Sequence, residues 1–206
     1  SAYFMSINRG KRSITIDIAT PRGQELIKAL AEKSDVLIEN YKVGDLKRYG
    51  LDYEAIRKVN PRIIYCSITG FGQTGPYRNR PGYDYIFQAM SGLMSITGGP
   101  DHLPGGGPAK VGLAICDVIT GIYSSFAVMT ALADREKSGD GQHIDMSLLD
   151  TTIATISHIN MNYLVGGIVP KRMGTGHPSI VPYQMFQAKD GPMVVAVGNN
   201  GQFGKL

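Results

Sequence analysis

Cysteine is scarce in this sequence: the chain of 206 residues has two, Cys66 and Cys116. They show no metal-ligand spacing, which excludes a cysteine-based zinc site. Both lie in apolar surroundings, so we expect buried, reduced thiols, which are typical of a cytoplasmic protein. No apolar run is long enough to predict a membrane span, and no signal peptide is visible, so no membrane partner is expected.

Charge is sparse as well. Charged residues make up 18% of the chain, and the formal net charge is +4. Lysine and arginine are spread along the sequence. One group, at Arg9, Lys11 and Arg12, suits either a phosphate-bearing ligand or a solvated surface. Aromatic residues do not alternate with basic ones as they do in nucleic-acid-binding surfaces, so no nucleic-acid partner is expected.

The standard signatures of several enzyme classes are missing. The sequence has no G-x-x-x-x-G-K-[ST] phosphate loop, no G-x-S-x-G elbow and no H-E-x-x-H metal motif. It also has no G-x-G-x-x-G that leads from a predicted strand into a predicted helix. The four histidines are scattered along the chain, and we expect no metal site.

The chain does have enough apolar sequence for a hydrophobic core, with 43% hydrophobic residues. Its first part alternates between strand and helix patterns. We predict strands at Ser13–Ile18, Asp35–Glu39 and Ile63–Ile68, with helices at Thr20–Lys33 and Tyr53–Val59 between them. This order predicts an α/β fold with a Rossmann-like, doubly wound parallel sheet.

The later part contains three more predicted helices and two more predicted strands. The helices are Tyr83–Leu93, Val118–Lys137 and Met146–Val165, and the strands are Gln142–Asp145 and Met193–Val197.

Two observations bear on domain organisation. Glycines cluster at 92–112 and 166–176, which indicates loops and close backbone approaches. The chain opens on Ser1 and enters apolar sequence at once, so we interpret it as a piece of a longer protein. We predict a partial α/β large domain over 1–165, followed over 166–206 by a linker and the start of a smaller domain.

Asp117 is the most informative single residue. It follows an apolar run, and a glycine-rich stretch lies just before that run. A carboxylate at such a junction is held ionised by free backbone N–H groups and the helix dipole, which suits a nucleophile. Aspartate is also a common helix N-cap, so the residue alone leaves both roles open. For Asp145 and Asp150, a favourable interaction with the dipole of the next helix is the preferred interpretation.

Three polar turns follow predicted strands. They are Asp17-Ile18-Ala19, Asn40-Tyr41-Lys42 and Thr69-Gly70-Phe71-Gly72. Ligands of open α/β sheets bind outside the carboxyl ends of the strands. Asn40 can hydrogen-bond a base or an amide, Tyr41 can stack, and Arg48 can pair with a phosphate. Each turn is commonplace by itself, but together the three describe one possible cleft.

Seven segments in chain order show a family resemblance. They are Asn8–Ile14, Asp35–Tyr41, Gly50–Glu54, Asn60–Tyr65, Gly70–Pro76, Arg80–Asp84 and Gly174–Tyr183. In this series the chain resembles the class III CoA-transferase (CaiB/BaiF) family over essentially its whole length. Within the family it is most similar to the succinyl-CoA:glutarate, or dicarboxylate, CoA-transferase branch, in Tyr3–Arg9, Ile64–Gly70 and Ser179–Tyr183.

The resemblance implies a set of site residues and partners. The family's catalytic aspartate falls on Asp117. The implied contacts to coenzyme A, or to acyl-CoA as substrate, are Ile16, Asp17, Ile18, Ala19, Asn40, Tyr41, Lys42, Arg48, Gly82, Tyr83, Asp84 and Tyr85. Family members are interlocked homodimers of longer chains. By this comparison the sequence is an incomplete large domain that lacks the family's opening strand and helix and its later small domain.

The activity implied is transfer of CoA from an acyl-CoA donor, such as succinyl-CoA, to a carboxylic acid, through an aspartyl-CoA thioester on Asp117. For a dicarboxylate acceptor, Lys171, Arg172 and His177 are candidates to hold the distal carboxylate. One alternative is a 2-methylacyl-CoA racemase, whose relatives have Gly-His-Asp where this chain has Gly82-Tyr83-Asp84. Another alternative is a CoA-binding fragment without activity.

Overall fold

The structure is an α/β fold built on a parallel sheet. It is a computed structural model that describes residues 1–206. The sheet has the strand order β1 (Val36–Glu39), β2 (Ile64–Thr69), β5 (His143–Ser147). Strands β1 and β2 run parallel, with Glu39 opposite Ser67, so the two strands reach the same edge of the sheet. The predicted α/β class with a parallel sheet is confirmed.

Nine α-helices, one 3-10 helix and two hairpins make up the rest of the regular structure. The helices are α1 (Ala2–Ile7), α2 (Pro21–Glu32), α3 (Tyr53–Val59), α4 (Asp84–Met90), α5 (Leu93–Ile96), α6 (Ile115–Ser138), α7 (Leu148–Ile156), α8 (His158–Leu164) and α9 (Asn200–Phe203). The hairpins pair β3 (Gly98–Gly99) with β4 (Gly107–Pro108) and β6 (Tyr183–Gln187) with β7 (Pro192–Ala196), and the 3-10 helix is Lys47–Tyr49.

Local capping explains where α2 and α3 begin. The Thr20 hydroxyl accepts the Gly23 N–H at 3.1 Å, and Pro21 occupies the first helical position. Asp52 accepts the Ala55 N–H at 3.3 Å. Capping of this kind satisfies N–H groups that have no partner inside the helix. Both helix starts were predicted from these residues and are confirmed.

The chain divides into two compact units, and α6, β2 and β5 run through both. Unit 1 comprises Ser1–Ser67 and Ala127–Ile144, and unit 2 comprises Ile68–Phe126 and Asp145–Leu206. The buried core of unit 1 is formed by Ala31, Leu46, Leu51, Ile56, Ile63 and Tyr65. In unit 2, Phe87 and Gln88 are completely buried on α4. Both cysteines are buried, as expected.

The predicted strand Ser13–Ile18 is wrong. This segment has no regular secondary structure and belongs to no sheet. Burial alternates only over its second half, where Ile16 and Ile18 are half-buried, while Ile14 is exposed. A strand also needs a neighbour to complete its ladder hydrogen bonds, and the sheet places none beside this segment.

Two predicted helices are interrupted. The helix predicted over Met146–Val165 breaks at Ser157, whose φ is +55°, into α7 and α8. The Asn160 side chain donates to the Ile153 carbonyl at 2.6 Å and so satisfies the freed end of α7. The helix predicted over Tyr83–Leu93 breaks at Gly92, which has a φ of +90°. Strand β6 was not predicted. The predicted strand Met193–Val197 is confirmed as β7, and the predicted helix Val118–Lys137 is confirmed as part of α6.

Helix α6 is long and apolar enough, by length and composition alone, to cross a membrane. The prediction that no apolar run is long enough to span a membrane is therefore wrong for α6. Core helices of soluble proteins have the same length and composition. The absence of a membrane partner stays a prediction.

Candidate active site

Asp117 lies in the first turn of α6, which begins at Ile115. It is therefore the third residue of the helix, and the alternative that Asp117 is the N-cap is wrong. Ala114 precedes the helix and accepts the Val118 N–H at 3.1 Å through its carbonyl. Its methyl side chain has no oxygen that could cap the remaining N–H groups. The helix start was predicted too late because Ile115 and Cys116 belong to the same apolar run as the residues before them.

The missing cap comes from another helix. The Cys116 N–H donates to Oδ1 of Asp84, in the first turn of α4, at 2.8 Å. The other oxygen, Oδ2, accepts the side-chain amide of Gln88 at 2.7 Å. Gln88 has no exposed surface, and its Oε1 accepts the Val111 N–H at 2.8 Å. Helix α4 therefore holds both the loop before α6 and the first turn of α6.

Helix α7 holds the same turn through hydroxyl groups. Thr120 donates to the Cys116 carbonyl at 2.6 Å, and its oxygen lies 2.7 Å from the hydroxyl oxygen of Thr151. Because the Thr120 proton is used in this way, Thr151 is the donor when the two hydroxyls bond, and the Ser147 carbonyl, at 3.0 Å, is its alternative acceptor. Both threonines are buried, so water does not compete for these bonds. The first turn of α6 is thus fixed by contacts from two helices.

The electrostatics of this turn differ from the sequence-based expectation. Burial raises the pKa of the Asp117 carboxyl above its ordinary value, and the negative charge of Asp84 raises it further. The expectation from sequence was the opposite direction, because free N–H groups and the helix dipole favour the ionised carboxylate. Burial also raises the pKa of the Cys116 thiol to about 11. The thiol is therefore protonated at neutral pH and is no nucleophile, whereas Asp117 reaches solvent.

A glycine-rich loop, Gly70–Pro76, follows β2. It contains the pattern G-x-G-x-x-G, but no α-helix begins until α4. The Gln73 N–H donates to both carboxylate oxygens of Asp145 at 3.0 Å, and the Leu149 N–H donates to the Gly70 carbonyl at 3.1 Å. Asp145 therefore binds this loop, which corrects the preferred interpretation that it serves the dipole of the next helix. Asp150 does lie in the first turn of α7, as expected.

The second glycine-rich segment, Gly98–Gly112, contains the β3–β4 hairpin and is tied down by Arg172. Arg172 donates through Nε to Asp101 at 3.0 Å and through Nη1 to the Ser95 carbonyl at 3.0 Å, and Nη2 also contacts Asp101. The hydrogen bond from Arg172 lowers the pKa of the Asp101 carboxyl. Arg172 was a candidate to hold an acceptor's distal carboxylate, but its guanidinium is already engaged within the protein.

In unit 1 the predicted coenzyme A contacts begin at the turn before α2. Oδ1 of Asp17 accepts the Ala19 N–H at 2.9 Å, and the Asp17 carbonyl accepts the Thr20 hydroxyl at 2.8 Å. Helix α2 approaches so closely that a Cβ on Gly23 would lie 1.8 Å from the Asp17 carbonyl oxygen. The turn is fixed by these contacts. It leaves Asp17 and Ala19 exposed, while Ile16 and Ile18 are half-buried.

The other unit 1 candidates follow β1. Asn40, Tyr41 and Lys42 come directly after the strand and are exposed. Arg48 lies in the 3-10 helix with its guanidinium carbon 4.7 Å from the centre of the Tyr49 ring and one nitrogen 3.8 Å from Oδ1 of Asp45. Exposed ion pairs of this length contribute little, so Arg48 can turn toward another anion.

In unit 2 the candidate segment Gly82–Tyr85 lies at the start of α4. A Cβ on Gly82 would lie 2.1 Å from Cζ of Phe87, so glycine is required by this close approach. Tyr83 and Tyr85 are exposed over 81% and 57% of their surface. Asp84 accepts a hydrogen bond from the first turn of α6, the turn that carries Asp117. The contacts to coenzyme A predicted for all these residues stay predictions.

Gln88 is the candidate that sequence reasoning missed. The available signal was its i,i+4 spacing from Asp84 on a predicted helix. The Asp101–Arg172 pair gave no local signal, because its members lie far apart in the sequence. No group of three or more His, Cys, Asp or Glu side chains is placed to hold a metal ion, and the prediction of a metal-free site stays a prediction.

A model of CoA-transferase family III matches residues 1–206 of the chain. The chain belongs to this family. The family III chain is 54% identical to succinate–glutarate CoA-transferase of Agrobacterium fabrum, over 100% of this chain and 50% of the relative. It is 50% identical to succinyl-CoA:glutarate CoA-transferase of Homo sapiens, over 98% of this chain and 45% of the relative. The family III chain therefore spans about half the length of the curated relatives it matches.

Solved structures show the same fold. A CAIB/BAIF family protein from Brucella suis superposes with a TM-score of 0.88 at 52% identity. The match covers 100% of the family III chain and 53% of the Brucella chain. A hypothetical protein from Mycobacterium tuberculosis superposes with a TM-score of 0.82 at 27% identity. The match covers 96% of the family III chain and 52% of the Mycobacterium chain. The family resemblance inferred from sequence motifs is confirmed, and the relatives include glutarate CoA-transferases.

Proposed function

We propose that the protein carrying this chain transfers coenzyme A from an acyl-CoA donor, such as succinyl-CoA, to a carboxylic acid, with Asp117 as nucleophile. Family membership supports the reaction class. The observation on which the assignment of Asp117 rests is its position: it is a carboxylate that reaches solvent, in a first helical turn that α4 and α7 hold in place.

The proposed reaction is a series of acyl transfers among Asp117, CoA and the two acids, and it needs no added oxidant, reductant or proton donor. Asp117 attacks the thioester carbonyl, the C–S bond breaks, and a mixed anhydride and CoA thiolate result. The thiolate attacks the aspartyl carbonyl of the anhydride, which releases the donor acid and leaves an aspartyl-CoA thioester. The acceptor carboxylate attacks this thioester, and the freed thiolate then attacks the acceptor's carbonyl. Acyl-CoA is released and the Asp117 carboxylate is restored.

The raised pKa of Asp117 suits this role. A more basic carboxylate is a stronger nucleophile once it is ionised. The first turn of α6 also supplies the positive end of the helix dipole, which stabilises negative charge as it develops on the reacting oxygens. Both features support an attacking role for Asp117.

Contacts to coenzyme A are proposed for each unit by itself. Lys42 and Arg48 supply positive charge for phosphates, and Tyr41 offers an exposed ring for stacking on a base. In unit 2, Tyr83 and Tyr85 offer further exposed rings. Both carboxylate oxygens of Asp84 are engaged within the protein, so a contact there would come from its backbone.

A dicarboxylate acceptor is supported by the relatives' names, which specify glutarate as well as succinate. Because Arg172 is engaged with Asp101, Lys171 and His177 are the remaining candidates to hold the distal carboxylate. Lys171 is exposed. His177 accepts the Ser179 N–H through Nδ1 at 3.0 Å and packs near the rings of His158 and Tyr183.

The test is an exchange assay on the protein that carries this chain. Succinyl-CoA is offered with a panel of mono- and dicarboxylic acids, and the acyl-CoA products are identified by mass spectrometry. We expect new thioesters with dicarboxylates of glutarate length and weaker transfer to monocarboxylates. Hydroxylamine added with acyl-CoA should modify Asp117, because it traps an activated aspartyl group. Asp117→Asn should lower kcat by about 1,000-fold or more, whereas Asp150→Asn should not.

Two rival activities give different results in the same assay. A racemase would exchange the α-proton of a 2-methylacyl-CoA in deuterated water without forming a new thioester. The exposed Tyr83 stands where those relatives have histidine, and a phenol is a poorer general base than an imidazole at neutral pH. A CoA-binding protein without activity would bind acyl-CoA and exchange nothing. An active Asp117→Asn protein would contradict the proposed mechanism.

The proposed assembly is a homodimer. The resemblance to the CaiB/BaiF family supports it, and so does the exposed apolar surface of α6, where Val118, Ile122 and Met129 are between 49% and 64% exposed. These residues recur at helical spacing and therefore share a face. Apolar residues grouped on one exposed face are typical of an interface.

A further inference from the structure

The first turn of α6 depends on a cap that its own sequence does not supply. Ala114 precedes the helix and offers no side-chain acceptor. The Cys116 N–H instead donates to Asp84 at 2.8 Å. Cys116 has no exposed surface, so water is not available to replace this acceptor. An unpaired buried N–H is costly, and the turn that carries Asp117 therefore relies on Asp84.

The Asp84 side chain is itself held in one orientation. Gln88, one helical turn later on α4 and completely buried, donates to Oδ2 of Asp84 at 2.7 Å. Gln88 also accepts the Val111 N–H at 2.8 Å and donates to the Leu113 carbonyl at 3.4 Å. Each oxygen of Asp84 thus has a different fixed donor. The network leaves Asp84 no free rotation and connects α4 to the whole segment that leads to Asp117.

Asp84 also places a negative charge beside Asp117. The neighbouring Cys116 thiol stays neutral. Lys110, on the loop before α6, donates to the Val111 carbonyl at 3.0 Å. The groups that α7 places here, Thr151 and Thr152, do not titrate in this range. The charge that acts on Asp117 is that of Asp84, and it raises the pKa of the Asp117 carboxyl.

We propose that Asp84 is a positioning residue for Asp117: it caps the first turn of α6 from a neighbouring helix and keeps a fixed negative charge beside the nucleophile. This inference rests on the proposed function, in which Asp117 attacks the thioester. The same carboxyl group must change partners repeatedly during the cycle without moving, since small displacements of a reacting group are costly. Asp84 supplies that fixed frame without touching the reacting atoms.

The experiment compares Asp84→Ala, Asp84→Asn and the control Asp150→Ala in the protein that carries this chain. Alanine removes both the acceptor and the charge. Asparagine keeps an oxygen for the Cys116 N–H and removes the charge, although its amide faces the Gln88 donor. Asp150 is an exposed aspartate in the first turn of α7 with no part in the network. Each protein is assayed for kcat, for KM of succinyl-CoA and for the pH dependence of kcat.

We expect Asp84→Ala to lower kcat by about tenfold or more with KM for succinyl-CoA changed by less than about threefold. Asp84→Asn should recover part of the loss. In both variants the acid limb of the kcat profile should move to lower pH, because the charge that raises the pKa of Asp117 is gone. A purely structural role would not move that limb. Asp150→Ala should match the wild type in all three measurements.

A wild-type kcat and an unmoved acid limb in Asp84→Ala would overturn the inference. If Asp84→Ala does not fold, Asp84→Asn decides the matter, since an unmoved acid limb there would equally overturn it. A rise in KM with kcat unchanged would assign Asp84 to substrate binding and would also overturn it. The proposed function is judged separately by Asp117→Asn: if that variant is active, the nucleophile is wrong, and if it is inactive while Asp84→Ala is normal, only the inference fails.

Discussion

At the scale of single residues, Asp117 combines a candidate chemical role with a cost in stability. Its pKa in the folded protein is raised above the ordinary 3.8. The folded state therefore favours the protonated form, and stability is lost as the pH rises through the raised pKa. At neutral pH the ionised carboxylate destabilises the fold, as is common for functional groups.

Asp117→Asn should therefore raise the free energy of unfolding at pH 7, by less than about 1 kcal/mol because the side chain reaches solvent and is partly screened. The gain should vanish below about pH 3, where aspartate is mostly protonated in both states. Urea unfolding at the two pH values measures this. Asp150→Asn, at an exposed first-turn position, is the control and should give no gain. An equal effect of Asp117→Asn at both pH values would contradict the prediction.

Gly82 is a residue whose size matters more than its backbone freedom. Gly82→Ala would place a Cβ 2.1 Å from Cζ of the completely buried Phe87. We expect a loss of about 1–3 kcal/mol in unfolding free energy, because a packed aromatic ring has no room to move away. Denaturant titration measures it.

The matched control is Gly121→Ala, in the interior of α6, where an added Cβ meets nothing within 4 Å. Alanine is the better helix former there, so this variant should gain roughly 0.5–1 kcal/mol. If the two substitutions have the same sign, the close approach at Gly82 is not what selects glycine.

How far the site could be predicted differs among its residues. Asp117 was predicted as the nucleophile from its position between an apolar run and a helical pattern, together with the family motifs, and this role stays a prediction. The direction of its pKa shift could not be predicted, because it depends on Asp84 and on burial by packing. The role of Gln88 was equally hidden, since a glutamine on an amphipathic helix is usually solvated and only packing shows that this one is buried.

At the scale of elements, α6 is anchored near its end by Arg135. In unit 1 the Arg135 guanidinium donates to Oδ1 of Asp35 at 2.9 Å and to the Arg62 carbonyl at 3.1 Å. The arginine side chain is only 9% exposed. It therefore connects the helix to the segments that lead into β1 and β2.

Arg135→Met should lower the unfolding free energy by about 1–3 kcal/mol, because it removes hydrogen bonds from a buried charged group while keeping most of the volume. The control is Arg22→Met, whose partner Glu25 and own side chain are both largely exposed, and it should cost less than about 0.5 kcal/mol. Thermal and urea unfolding measure both. Equal losses would show that the anchor contributes no more than a surface ion pair.

Elements with their own capping residues were predictable and others were not. Thr20 and Asp52 mark the starts of α2 and α3 because the cap is encoded next to the helix. The start of α6 was misplaced because its cap is Asp84, on another helix. The strand predicted at Ser13–Ile18 failed for a related reason: a strand depends on a partner, and alternation of apolar residues does not say whether one is present.

At the scale of the whole molecule, the order of strands and helices was enough for the α/β class, and ordered motifs were enough for the family. The division into two compact units was not predicted from sequence. Units 1 and 2 each combine two separate stretches of the chain, and α6 passes from one into the other. Such a division depends on which segments pack together, and local patterns do not encode that.

The proposed homodimer gives the prediction for this scale. Ile122 and Met129 on α6 are each 64% exposed, and burying side chains of this size stabilises an interface by roughly 1.5–3 kcal/mol each. Sedimentation velocity of the protein that carries this chain should give the mass of a dimer. Ile122→Glu combined with Met129→Glu should weaken the dimer by at least about 100-fold, whereas Lys137→Glu, at the exposed end of the same helix, should leave it intact.

The experiment distinguishes two possible partners for the exposed apolar face of α6: a second copy of the protein, or another part of the same polypeptide. If a second copy covers it, the double variant changes the mass and keeps most of the thermal stability of the monomer. If another part of the same polypeptide covers it, the double variant lowers the melting temperature and the mass stays as it was, because the buried charges then act within one molecule. A wild-type protein that sediments as a monomer would contradict the dimer. A stable dimer formed by the double variant would show that the two copies meet through another surface.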